Sequence, residues 1–289
     1  MLVPFHPKMN KGGIELKVAF WSNARGKSCV TSNLACISVL STLRCPGRRT
    51  IVFENHQNII NLGSTWFSPR SSDYVVNENT EYTIDTGLGK VLQLVEKGEK
   101  PAEEDFFRYA RDFLGKQLFY LPTESIRNAD VLEYRISRDC ERTLHFLEQY
   151  GELVLVDTSA APLDSSRRIL QEADLVVVNL SQNRQMMSHF FRNYSDIRKK
   201  AFYLIGNYDA QSELNKHYIM KKYNIKGSRI GIIPHNTRFA DAVSDGKLIP
   251  FLLKNYQSRP GDEEYSFIAA VKETEQLFQN QLYESKSRG

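Results

Sequence analysis

Two short stretches carry residues whose types and spacing suit phosphate chemistry. The first is Gly26-Lys27-Ser28, which follows the apolar run Val18-Ala19-Phe20 and precedes Leu34-Ala35-Cys36-Ile37 at helix-compatible spacing. Where a strand turns through such a loop into a helix, backbone N–H groups curl around a β-phosphate. A lysine reaches the β- and γ-oxygens, and a hydroxyl ligates Mg²⁺. The anion then lies at a helix N-terminus, where unpaired N–H groups and the dipole favour negative charge. Asn23, Ala24, Arg25, Gly26, Lys27, Ser28 and Cys29 are therefore the candidate phosphate loop, with Ser28 as the candidate Mg²⁺ ligand. The second stretch is Glu152-Leu-Val-Leu-Val-Asp157, four apolar residues ending in a carboxylate. A strand tip beside a phosphate loop presents such an aspartate to Mg²⁺ through water. Placed elsewhere, the same residue would only cap the next helix. The loop departs from the usual pattern at Trp21, which stands where a glycine is expected five residues before Gly26.

These side chains need a scaffold, and the hydrophobic pattern supplies one. A first strand is expected over about Glu15 to Trp21 and a second over Thr50-Ile-Val-Phe53, after the turn cluster Arg44-Cys-Pro-Gly-Arg-Arg49. Strand, helix and strand imply a right-handed βαβ unit and a parallel sheet. Further strands are expected at Leu118–Leu121, Glu152–Asp157, Ala173–Leu180, Ala201–Asn207 and Arg229–Pro234. Amphipathic helices are expected at Gly87–Gly98, roughly Ala129–Gln149, and about Asp262–Tyr283. The stretch from Asn58 to Asp85, rich in Ser, Asn and aromatics, reads as a long functional loop with short elements. The expected fold is α/β, with a mostly parallel central sheet and helices on both faces. Residues 1–14 read as a loosely packed tail and 15–289 as a single domain.

The chain has 289 residues, 41% hydrophobic and 25% charged, a composition that supports one large α/β domain. No apolar run approaches the length of a membrane span, and the start carries no cleavable signal pattern, so a cytoplasmic location is expected. Cys29, Cys36, Cys45 and Cys140 show neither C-x-x-C pairing nor metal-ligand spacing and read as reduced structural thiols. The six histidines likewise lack a metal-binding pattern. A formal charge of +4 permits contact with nucleic acid or an anionic surface without requiring it.

The order of these signals resembles the ParA/MinD branch of the SIMIBI P-loop ATPases, the deviant Walker A family that positions DNA, division proteins or pili. The likeness spans about residues 15 to 255. Gly26-Lys-Ser-x-x-x-Ser-Asn-Leu-Ala35 resembles the family's loop and helix, and Tyr150-Gly-Glu-Leu-Val-Leu-Val-Asp-Thr158 resembles its Walker B strand. Ile233-Pro-His-Asn-Thr-Arg-Phe-Ala-Asp-Ala-Val-Ser-Asp-Gly-Lys-Leu-Ile249 looks like its segment near the base, and Asn207 stands where the family places an adenine-contacting asparagine. The resemblance implies ATP or ADP with Mg²⁺ as cofactors, held by the loop with Lys27 as its catalytic lysine. Asn207 and Pro234 would lie at the base, and Ser28 and Asp157 at the metal. It also implies a homodimer acting in the bacterial cytoplasm, associated with nucleoid or membrane through partners.

The departures from the family fall on catalysis. Ser22 replaces the lysine that reaches across the dimer, and Asn23 and Ala24 replace glycines. Phe53-Glu54-Asn55-His56-Gln57 replaces the family's Asp-x-Asp-Pro-Gln, leaving Glu54 as the nearest carboxylate for a catalytic role, provided that the strand register brings it to the right face. Loss of a cationic finger costs orders of magnitude in phosphoryl transfer, so nucleotide binding with weak or lost hydrolysis is expected. The alternatives are a Tad-type pilus-localisation protein, which residues 1–14 leave no room to furnish with a receiver domain, or a non-hydrolysing scaffold. DNA contact through Arg192, Arg198, Lys199, Lys200, Lys216, Lys221 and Lys222 competes with a solvated helix face.

Overall fold

The computed structural model describes residues 15–26, 28–67, 86–126 and 128–287. The expected tail at 1–14, the part of the long loop at 68–85, and Lys27 lie outside the described residues. The apolar runs become strands β1 (Leu16–Trp21), β2 (Thr50–Glu54), β3 (Arg111–Phe113), β4 (Leu118–Leu121), β5 (Leu153–Asp157), β6 (Leu175–Leu180), β7 (Ala201–Tyr208) and β8 (Ile230–Pro234). They form one eight-stranded sheet in the order β3-β4-β2-β5-β1-β6-β7-β8. Every pairing is parallel except β3 with β4. Strands β2, β4, β5 and β6 are buried at every position. A parallel strand covered on both faces needs such a continuous apolar run rather than an alternating one.

Between the strands run α1 (Val30–Arg44), α2 (Leu62–Trp66), α3 (Gly87–Lys97), α4 (Glu103–Phe107), α5 (Ala129–Glu148) and α6 (Asp164–Glu172). They are followed by α7 (Arg184–Asn193), α8 (Ser195–Lys199), α9 (Lys216–Tyr223), α10 (Thr237–Ser244), α11 (Leu248–Asn255) and α12 (Tyr265–Lys286). Asparagine side chains cap the N-termini of α2, α5, α7, α9 and α10 by accepting from backbone N–H groups two or three positions into the helix, a role that suits this short acceptor. Alternation along β1 assigns the two faces. Val18 and Phe20 pack into a core with Leu34, Ile37, Leu40 and Phe278 of α1 and α12. Ala19 and Trp21 pack into the opposite core with Val91, Leu144 and Phe190 of α3, α5 and α7. The result is the expected sheet with helices on both faces.

The expected elements are present with small shifts at their ends, and several short ones, α4, β3, α8, α10 and α11, were not foreseen. The antiparallel edge strand β3 follows α4, where Arg111-Asp112-Phe113 is too short and polar to register as a strand locally. Trp66 is buried against Phe113 and Tyr120. Among the described residues, no helix is long and apolar enough to cross a membrane.

Candidate functional site

The phosphate-loop candidates leave β1 at the C-terminal edge of the sheet. Ser22 is buried and its Oγ accepts from the Ala24 N–H at 3.3 Å. The Asn23 amide donates to the Met186 carbonyl at 3.0 Å and lies 3.2 Å from His189 Nδ1, which fastens the loop to α7. Arg25 and Gly26 are exposed. Gly26 has φ 75°, a left-handed conformation open to glycine at little cost, and a Cβ there would meet no atom within 4 Å. Cys29 also adopts a left-handed conformation, φ 54°, and is exposed at the N-cap of α1. Helix α1 therefore begins at Val30, after the Lys27-Ser28 pair, with no side-chain cap and no acidic residue in its first turn. That leaves its N-terminal N–H groups and dipole directed at the loop.

Beneath the loop lies a buried amide pair. Asn33 Nδ2 donates to Asn179 Oδ1 at 2.8 Å and to the Ser28 carbonyl at 3.3 Å, while Asn179 Nδ2 donates to the Trp21 carbonyl at 3.4 Å. These contacts tie α1 to β1 and β6. In the sequence Asn33 stands out only within the Ser-Asn-Leu-Ala resemblance, and Asn179 belongs to no motif. The available signal was an asparagine inside the apolar run Leu175-Val-Val-Val-Asn-Leu180, because a polar side chain buried in a central strand requires a partner.

Asp157 ends β5 and is 1% exposed. Its Oδ2 accepts from the Thr31 hydroxyl at 2.6 Å, whereas Ser28 Oγ lies 3.5 Å from the Ala24 carbonyl. Thr31 is thus the α1 hydroxyl on the carboxylate, a contact the sequence reading did not assign. Strand register pairs Glu54 with Asp157, so the two side chains emerge side by side on the α1 face of the sheet, while Phe53 enters the opposite core. Glu54 Oε1 accepts from the Leu62 N–H at 2.6 Å and Oε2 from the Tyr120 hydroxyl at 2.9 Å. His56, from the turn after β2, brings Nε2 to 3.3 Å from Asp157 Oδ2. Asn55 stitches this turn to the segment after β5, through the hydroxyls of Ser165 and Ser166 and the Ser159 N–H.

Burial, reinforced by the neighbouring Asp157 charge, pushes the Glu54 carboxyl up to about 7 against the opposing pull of His56 and its two hydrogen-bond donors. Burial works against protonation of His56, but the hydrogen bond to Asp157 and the charges of Asp157 and Glu54 outweigh it and hold the imidazole above its ordinary value. A stability consequence follows for Glu54. Between pH 4.5 and about 7 the unfolded chain loses this proton while the folded chain keeps it, so stability falls as pH rises through that window. Glu54→Gln retains an acceptor for the Leu62 N–H and a polar partner for Tyr120. The variant is expected to be more stable than the parent above pH 7 by about 2–3 kcal/mol, with no advantage below pH 4.5. Denaturant unfolding of both proteins across this range measures the difference.

The base-site candidates lie farther along the same edge. Asn207, exposed and left-handed at φ 48°, sits in the register shift of β7 between Ile205 and Tyr208. Its Oδ1 is 2.8 Å from His235 Nδ1, and Pro234 ends the adjacent strand opposite Tyr208. The structure therefore brings Asn207 and Pro234 together, two and three strands from β1, or about 10 and 14 Å at ordinary strand spacing. Trp21 turns away from α1 into the opposite core, edge-on to Tyr194 at 5.0 Å between ring centroids. Of the basic residues singled out, Lys199 pairs with Asp196, Lys200 donates to the Gln171 and Ala173 carbonyls, and Arg198 donates to the Phe191 carbonyl.

No family model and no curated protein sequence matches the chain. Its three-dimensional structure, however, is similar to solved ATPase structures over most of its length. A ParA family ATPase from Chlorobium tepidum superposes with a TM-score of 0.64 at 12% identity, covering 91% of this chain and 98% of that one. A chain of the MinC:MinD cell division complex of Aquifex aeolicus gives 0.62 at 16% identity, covering 92% and 96%. The septum site-determining protein MinD of Pyrococcus horikoshii, solved with Mg-ADP, gives 0.61 at 10% identity, covering 90% and 95%. A strand-loop-helix turn at the C-terminal edge of an eight-stranded, mostly parallel sheet, together with this end-to-end correspondence, establishes that the chain has the ParA/MinD-type P-loop ATPase fold.

Proposed function

We propose that the chain is a divergent ParA/MinD-like nucleotide-binding protein, a single domain over residues 15–289. Two copies would associate when ATP and Mg²⁺ are bound and so position DNA or a cell-envelope machine in the bacterial cytoplasm, with weak or lost hydrolysis. The observation that carries the reading is the uncapped N-terminus of α1 facing a glycine-bearing loop, with the buried Asp157 carboxylate held against the same helix by Thr31. This donor set fits a magnesium nucleotide. N–H groups and a helix dipole suit phosphates, and hydroxyl and carboxylate oxygens suit a hard cation. Residues 23–29 would hold the phosphates, Ser28 and Asp157 the metal, and Asn207 and Pro234 the base. When bound, ATP with Mg²⁺ supplies an activated γ-phosphoryl group for transfer to water. Lys27 would neutralise phosphate charge, and Asn23 would keep the loop docked on α7.

Weak hydrolysis is supported by two positions. Ser22 presents a short hydroxyl, engaged with its own loop, where a cation would be needed. Both oxygens of Glu54 accept hydrogen bonds, from the Leu62 N–H and the Tyr120 hydroxyl, which hold its carboxylate in a structural role rather than as a mobile base that orients water. That occupancy also favours a second reading, a scaffold in which nucleotide is structural. Calorimetry with ATP and Mg²⁺ is expected to show binding that Lys27→Ala weakens more than about tenfold, the loss of one charge-assisted phosphate contact. Phosphate release should stay near the enzyme-free background, and light scattering should show ATP-dependent dimers. Turnover well above background that Lys27→Ala abolishes would exclude the scaffold, and a wild-type chain that binds no nucleotide would end both readings.

A further inference from the structure

The turn after β2 adds to the sheet edge a ligand that a magnesium nucleotide site does not require. The ligand atoms of Glu54, His56 and Asp157 all lie within 4.8 Å of one another, and all three residues are buried. The geometry points to a site for a divalent first-row transition ion, bound by Glu54, His56 Nε2 and Asp157 in the absence of nucleotide. It shares Asp157 with the nucleotide reading but does not rest on it.

The spacing suits such an ion. Bonds of about 2.1 Å in a tetrahedral arrangement put neighbouring ligand atoms about 3.4 Å apart, and His56 Nε2 lies 3.3 Å from Asp157 Oδ2. Both carboxylates are oriented by neighbours that need not leave. Thr31 donates to Asp157, and Leu62 and Tyr120 donate to Glu54. Outer partners of this kind fix ligating groups in metal sites. The three ligands also come from rigid positions, since Glu54 and Asp157 are register partners on adjacent parallel strands and Asn55 ties the His56 turn to the segment after β5.

The donor set selects the class of ion. Mg²⁺ takes oxygen ligands almost entirely and resists dehydration, whereas an imidazole beside carboxylates suits Zn²⁺, Mn²⁺, Fe²⁺ or Co²⁺. Two carboxylates buried this close repel each other unless positive charge stands between them, and a divalent ion satisfies both at once. Entry need not cross the core, because residues 57–60, directly after His56, are exposed.

The test uses the full chain stripped with a chelator and titrated calorimetrically with Zn²⁺ alone, then with Mg²⁺ alone, without nucleotide. Saturable, stoichiometric Zn²⁺ binding is expected, with Mg²⁺ more than about tenfold weaker. His56→Ala and His56→Gln should each weaken Zn²⁺ binding more than about tenfold, since loss of outer partners alone costs 10- to 100-fold. With two substitutions at His56, the test survives if one of them fails to fold, as thermal melting would reveal. Zn²⁺ binding that persists at full strength without His56, equal affinity for Mg²⁺, or no Zn²⁺ binding by the wild-type chain overturns the assignment. Because no nucleotide is present, none of these outcomes bears on whether the loop binds ATP.

Discussion

Trp21→Ala is expected to lower the stability of the fold by about 3–5 kcal/mol, the range for truncating a buried tryptophan. The indole is 4% exposed and packs against Tyr194 and Phe190, with centroid separations of 5.0 and 6.4 Å. It also forms one wall of a groove of about 530 Å³ that includes Ala161, Leu170 and Ile197. Truncation would merge the vacated volume with this groove, so collapse cannot close the gap and the cost should fall in the upper part of the range. Trp21→Gly restores the glycine of the usual phosphate-loop pattern. It is expected to be at least as destabilised, because glycine adds a backbone entropy cost inside a strand. Denaturant unfolding should show a lower midpoint for both variants. If Trp21→Gly kept parental stability and bound ATP more tightly, the side chain would be acting on the loop and not in the core.

Gly206→Ala should cost about 2–4 kcal/mol and disturb the loop from below. A Cβ at this position would lie 2.5 Å from Asn33 Nδ2 and 2.8 Å from its Oδ1. Real Cβ atoms do not approach so closely, and the Asn33 side chain has nowhere to retreat. It is buried and committed to Asn179 and to the Ser28 carbonyl. The expected loss combines overpacking strain with broken buried hydrogen bonds, each worth about 1–3 kcal/mol. Asn33→Ala removes the obstruction, so the double variant should be more stable than the sum of the single effects predicts, by more than about 1 kcal/mol. Strict additivity in that cycle would show that Gly206 and Asn33 do not compete for space. Nucleotide binding should weaken in Gly206→Ala along with stability, because Asn33 anchors the loop at Ser28.

The fold was largely legible from local pattern because central parallel strands must be apolar at nearly every position, which makes β1, β2 and β4 to β8 visible as short runs between polar turns. The edge strand β3 was not legible. Its three residues depend on pairing with β4 for their conformation, and nothing in Arg111-Asp112-Phe113 requires it.

The strand-loop-helix turn at Gly26-Lys27-Ser28, the aspartate at the end of β5 and the α/β class can be read along the chain. These features are written in contiguous residues and in the chemistry of glycine, hydroxyl and carboxylate. That Thr31 meets Asp157, that His56 joins the same carboxylate, that Glu54 turns to the α1 face and is hydrogen-bonded there, and that Trp21 belongs to the opposite core emerge only on folding. Each of these depends on which strands are neighbours and in what register. Glu54 and Asp157 stand opposite one another although far apart in the chain, and a slip of one residue would have sent their side chains to opposite faces of the sheet.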